Sequence, residues 1–126
     1  FTIYDMRAPL WCKQLFLNAL DILLPNPMLR HYGPSTLLTT LNEQSKEKRW
    51  ILHLLHYIPE RRSQTIDIIE DVIPLYNIKI SINATEDVKN VMCVPENQSL
   101  EYEIKDDRVE FTLPKLEGHQ MVSIEF

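Results

Sequence analysis

At 126 residues, 44% hydrophobic and 25% charged, the chain has the size and composition of one ordinary globular domain, able to bury about two-thirds of the surface its unfolded form exposes. Its net charge of -5 argues against a nucleic-acid surface, since basic residues cluster only at 46–49 and at Arg61-Arg62, each beside acidic neighbours. The most apolar stretch, residues 10–24, is broken by Lys13, Gln14, Asn18 and Asp21, too short and too polar to span a membrane.

The chain opens on Phe1-Thr2-Ile3-Tyr4, a strand-like run with no initiator Met, which points to a start cut out of a larger protein. Pro9 suits the first position of a helix, where its missing N–H costs nothing. Trp11, Leu15, Asn18 and Ile22 then follow at helical spacing, and Cys12, Phe16, Ala19 and Leu23 form an adjacent row. So wide an apolar arc predicts a helix buried on most of its circumference, against a sheet or a neighbouring chain. Pro25 and Pro27 stop it, and residues 28–33 read as a linker.

From Gly33 the pattern changes class. Residues 36–41 and 50–58 are apolar runs of strand length around a charged connector at 42–49, predicting a β-hairpin with a solvated loop. Residues 60–64 are polar, and 66–69 can form a short strand. Tyr76, Ile78, Ile80 and Ile82 alternate with polar residues in the cleanest half-buried strand of the chain, ended by turn residues at 83–87. Residues 88–94 form another strand. Leu100, Tyr102 and Ile104 face Val109, Phe111 and Leu113 across an Asp106-Asp107 turn, a second hairpin. Val122, Ile124 and Phe126 line one side of a last strand. About eight short strands with no helices between them predict a mainly β fold, an antiparallel β-sandwich preceded by one α-helix. The chain thus changes class near residue 33, with 33–126 as the sandwich.

Chemistry-bearing groups are sparse. On a strand His53 and His56 point to opposite faces and cannot chelate one ion, so no metal site is expected. Glu101 and Glu103 share a face ~7 Å apart, within the spread of glycosidase carboxylate pairs, yet they alternate with Leu100 and Tyr102 as a solvated face does. Ser35, Ser63 and Ser81 lack a Gly-rich elbow, and with only two glycines no phosphate-cradling loop exists. Cys12 and Cys93 define neither a disulfide framework nor a zinc site, and no cofactor is expected. The sequons at Asn83 and Asn97 carry meaning only in a secretory eukaryotic source. Trp50 and Tyr57 are the candidate sugar contacts, with Arg61 and Arg62 as candidate interface residues; Trp50 and Tyr57 lie seven apart and face opposite sides of a regular strand.

The runs LWCKQLFLNALDILLPNP, GPSTLLTTLNEQ, RWILHLLHYIPERR and IIEDVIPLYNIKISI resemble the C-terminal region of bacterial, Bacteroides-type glycoside hydrolases related to beta-galactosidases. The resemblance implies a three-part plan: a catalytic (β/α) barrel, an amidotransferase-like trimerisation domain, and a small C-terminal β-domain. Residues 1–32 would then end the middle domain. The catalytic carboxylates belong to the barrel, so no catalytic residue is carried over, and Cys12 matches no amidotransferase nucleophile. The expected role is a non-catalytic accessory domain that braces the barrel or supports a homo-oligomer, in the cytoplasm or periplasm of a bacterium. A carbohydrate-binding module is the alternative, distinguished by whether Trp50, Tyr57 or Tyr76 lies exposed in one concave row. A small hydrolase using Glu101 and Glu103 is a third reading, and it needs a pocket that nothing in the sequence predicts.

Overall fold

A computed structural model describes residues 9–84 and 87–126; the strand expected at residues 1–4 and Thr85 of the first sequon lie outside them. Helix α1, Leu10–Leu23, begins after Pro9 with no side-chain cap and ends where the Leu24 N–H donates to the Leu20 carbonyl (2.7 Å), before Pro25 and Pro27. Eleven strands follow among the described residues: β1 (Leu29–His31), β2 (Leu37–Gln44), β3 (Arg49–His56), β4 (Glu60–Arg61), β5 (Asp67–Ile68), β6 (Leu75–Asn83), β7 (Asn90–Val94), β8 (Gln98–Ser99), β9 (Tyr102–Lys105), β10 (Arg108–Leu116) and β11 (His119–Glu125).

Nine of these form the expected antiparallel sandwich, as a four-stranded sheet ordered β1-β6-β10-β9 and a five-stranded sheet ordered β2-β3-β11-β7-β8. The core between them follows from the alternation in the sequence. Ile78, Ile80 and Ile82 of β6 and Val109, Phe111 and Leu113 of β10 line the inner face of one sheet. Leu52 and Leu54 of β3, Val91 and Cys93 of β7, and Val122 and Ile124 of β11 line the other.

Three local readings change. The residues expected as a linker contain β1, whose Leu29, Arg30 and His31 pair with Ile82, Ser81 and Ile80 on the edge of the four-stranded sheet. The 42–49 connector shrinks to four residues, because Asn42, Glu43 and Gln44 stay in register with Ile51, Trp50 and Arg49; backbone pairing asks nothing of their polar side chains. Residues 60–69 form a separate two-stranded ribbon of β4 and β5. The chain also crosses between sheets around Leu100: β8 pairs with β7 in one sheet and β9 with β10 in the other.

Turn chemistry closes these elements. Asp106 and Asp107 both take positive φ (50° and 60°), as the tight β9–β10 turn requires. Gly118 (φ 74°) turns β10 into β11 while lying against Tyr57, whose hydroxyl leaves no room for an added Cβ. Asn77 (φ 53°) interrupts the β6–β10 ladder where Pro114, with no N–H to give, falls between the Ile78–Leu113 and Tyr76–Lys115 pairs.

α1 has no buried residue: Leu10, Ile22 and Leu23 are each 80% exposed. Its connection to the sandwich is polar, through Arg30, which approaches Asp21 (3.6 Å) and donates to the Pro25 carbonyl (3.0 Å).

Ile80 is fully buried while its neighbour Lys79 is exposed. Ile80→Ala should therefore cost about 2 to 5 kcal/mol through lost transfer energy and a residual cavity, and Lys79→Ala almost nothing. Paired thermal melts check this, and equal effects would mean that the faces of β6 are wrongly assigned.

Candidate functional site

The candidate residues named from the sequence fall into separate places. Trp50 stands at the start of β3, half-buried against the core, with Phe126 edge-on to its ring (centroids 4.8 Å apart, 73° between planes). Glu43, Lys48, Arg49 and Lys89 border the shallow hollow beside it. Tyr57 lies past the far end of the same strand against Gly118, so the two aromatic rings share no surface. Tyr76 is exposed on β6 in the other sheet. No concave row joins these three.

Arg61 and Arg62 sit on the β4–β5 ribbon, already engaged by carboxylates. Arg61 Nε is 2.5 Å from Asp67 and its Nη1 donates to the Gln64 carbonyl (2.8 Å); Arg62 pairs with Glu60 (3.1 Å) and with Glu70. All are largely exposed, so the network shapes the ribbon more than it stabilises the domain.

Glu101 and Glu103 are exposed on an open face, with no enclosure to hold a substrate or a proton. Glu103 pairs directly with Glu110 across the β9–β10 ladder, in a row that continues through Ser81 to Arg30. Behind that row Arg108 acts as a clamp. Its Nε donates to Ser81 Oγ (2.7 Å), Nη2 to the Ser81 carbonyl (2.9 Å), and Nη1 to Asn26 Oδ1 (2.8 Å) and the Pro27 carbonyl (2.9 Å). Ser81 Oγ in turn donates to Glu110 Oε1 (3.2 Å). The guanidinium thus fixes the segment between α1 and β1 onto the sheet. The shallow groove on this face, with Tyr32 at its edge, is open and of mixed polar and apolar lining. It offers hydrogen bonds but no desolvated acid or base.

Among the described residues no nucleophile is placed for catalysis. Ser123 is fully buried with its hydroxyl unpartnered, and burial, reinforced by the Glu96 carboxylate, pushes the Cys93 thiol up. The opposite-face reading of His53 and His56 holds: His56 is buried (2% exposed), while His53 faces outward. Spacing along one strand cannot reveal His53's actual neighbour. His119, 66 residues away, brings Nε2 to 3.2 Å from His53 Nδ1. No cluster of three or more His, Cys, Asp or Glu suited to a metal occurs among the described residues.

Burial holds the imidazole of His31 below its ordinary range, and its Nδ1 accepts from the Gly33 N–H (3.3 Å), as only an unprotonated nitrogen can. With the folded value depressed, the unfolded chain takes up the proton first, so stability is full above the ordinary histidine range near ~6.5 and is lost as pH falls through it. Urea midpoints across pH 5 to 8 should show this loss, flattened in His31→Asn. The Glu103–Glu110 pair gives a second expectation: Glu103→Lys replaces a like-charge neighbour by an opposite one and should raise stability by roughly 0.2–1 kcal/mol, measured by the same midpoints at low salt.

No protein-family model matches the chain, and the search of curated proteins gives no match. Solved structures do match. One is alpha-L-fucosidase isoenzyme 2 from Paenibacillus thiaminolyticus, at 37% identity and TM-score 0.90 over 98% of this chain and 19% of that one. Another is a cycloisomaltooligosaccharide glucanotransferase from a Paenibacillus species, complexed with cycloisomaltoheptaose, at 21% identity and TM-score 0.59 over 76% of this chain and 16% of that one; it shares the fold. The chain therefore spans about a fifth of the length of the fucosidase it resembles.

Proposed function

We propose that the chain is a non-catalytic accessory β-sandwich of a larger glycoside hydrolase acting on O-glycosyl bonds, and that it braces the catalytic part through α1. The observation that carries this is the helix itself. Its large apolar residues include Trp11 (65% exposed), Leu15, Ile22 and Leu23, and its own sandwich covers none of them. A helix with that much apolar surface needs a partner. The match to the fucosidase extends over 98% of this chain, helix included, and leaves four-fifths of that relative's length to supply one.

The parent's sugar is the finer question. The fucosidase neighbour favours fucosides, whereas the resemblance in the sequence favours beta-galactosides and a trimerising middle domain. The carbohydrate-binding alternative is less favoured, since Trp50, Tyr57 and Tyr76 stand apart.

Two measurements test the reading. The chain should turn over neither nitrophenyl fucosides nor nitrophenyl galactosides, and turnover abolished by Glu101→Gln or Glu103→Gln would overturn the non-catalytic assignment. With Trp11, Leu15, Ile22 and Leu23 largely exposed, the chain should self-associate at high concentration, and Leu20→Glu with Leu23→Glu should return it to monomer. A strict monomer whose Trp11 is freely quenched by iodide would count against the bracing role.

A further inference from the structure

The outer face of the five-stranded sheet carries a group of side chains that the accessory role does not use. His53 of β3 and His119 of β11 meet at 3.2 Å between Nδ1 and Nε2, with near-parallel ring planes (13°) and centroids 5.5 Å apart. The centroid separation exceeds the nitrogen gap by about the breadth of one ring, so the rings are not stacked face to face. They meet nitrogen to nitrogen, nearly in line. One ring donates its N–H and the other accepts.

Met121 is the direct cross-strand partner of His53 and lies two residues from His119, so its side chain leaves the same face. Met92 of β7 is its diagonal neighbour on that face, paired with Ser123. Both thioethers are half-buried. Among the described residues no carboxylate or thiol completes a three-ligand cluster with the histidines. A tetrahedral zinc site needs four converging donors, three of them from protein even when catalytic, and this surface does not supply them. Two opposed imidazoles on a face that also carries thioethers suit instead a soft cation of low coordination number.

We propose that His53 and His119, assisted by Met121, form a binding site for one monovalent copper ion. The ion enters between the facing nitrogens as the rings separate slightly. The ring that had donated moves its N–H to its outer nitrogen, so both inner lone pairs coordinate the metal. No net proton is released, and the copper keeps its oxidation state throughout.

The test is a competition titration of Cu(I), kept reduced by ascorbate without oxygen, against a chromophoric Cu(I) chelator. The Cys12→Ser chain is used, because the half-exposed Cys12 thiol would itself take copper. One Cu(I) per chain is expected, lost in His119→Ala and in His53→Ala, and weakened about tenfold or more in Met121→Leu through loss of the soft donor. His119 is exposed, so its variant should keep the parent melting temperature and separate lost binding from lost fold. Absence of competition, binding that survives both histidine substitutions, or Zn(II) bound as tightly as Cu(I) would each overturn the proposal.

Discussion

Everything in this domain depends on one ladder, the pairing of β6 with β10. It aligns Ile78, Ile80 and Ile82 with Leu113, Phe111 and Val109, so six apolar side chains leave the four-stranded sheet in one direction and meet the inner row of the other sheet. Register is what the arrangement cannot lose. A slip of one residue would turn Lys79, Ser81, Glu110 and Thr112 inward and leave their polar groups buried without partners. The Asn77–Pro114 interruption near one end and the Asp106-Asp107 turn at the other bracket the ladder and fix that register.

The same alternation explains what was legible in the sequence. The period-two pattern of 76–82 and 109–113, and the paired aspartates between the runs at 100–104 and 109–113, carried the strands, their faces and the sandwich class. Pro9 and Pro25 carried the bounds of the helix. Edge elements were harder to see. β1 is three residues long and half-buried, and an edge strand needs hydrogen bonds on one side only, so it leaves no hydrophobic signature. The polar end of β2, at the edge of the other sheet, hides for the same reason.

The site was less legible than the fold, because its contacts are long-range. Periodicity separates His53 from His56 correctly, but it cannot say that β11 lies beside β3 and brings His119 to the pair. Arg108 likewise carries no signal in its own stretch of sequence. It takes its role from Ser81 and from the segment after α1, partners 27 and more residues away. Sequence spacing sees neighbours along one element, whereas a sandwich assembles its surfaces from several.

The place of β11 has a consequence for how the chain is made. Residues 119–125 occupy the middle of the five-stranded sheet, between β3, which precedes them by about seventy residues, and β7. On the ribosome, every other strand of both sheets emerges first, and the sheet stands split into two halves with an open seam until this segment is free. Such late, non-local closure is slow and exposes unpaired edges. The interval between emergence of β7 and emergence of β11 is therefore when the nascent domain is most open to mispairing with another copy of itself.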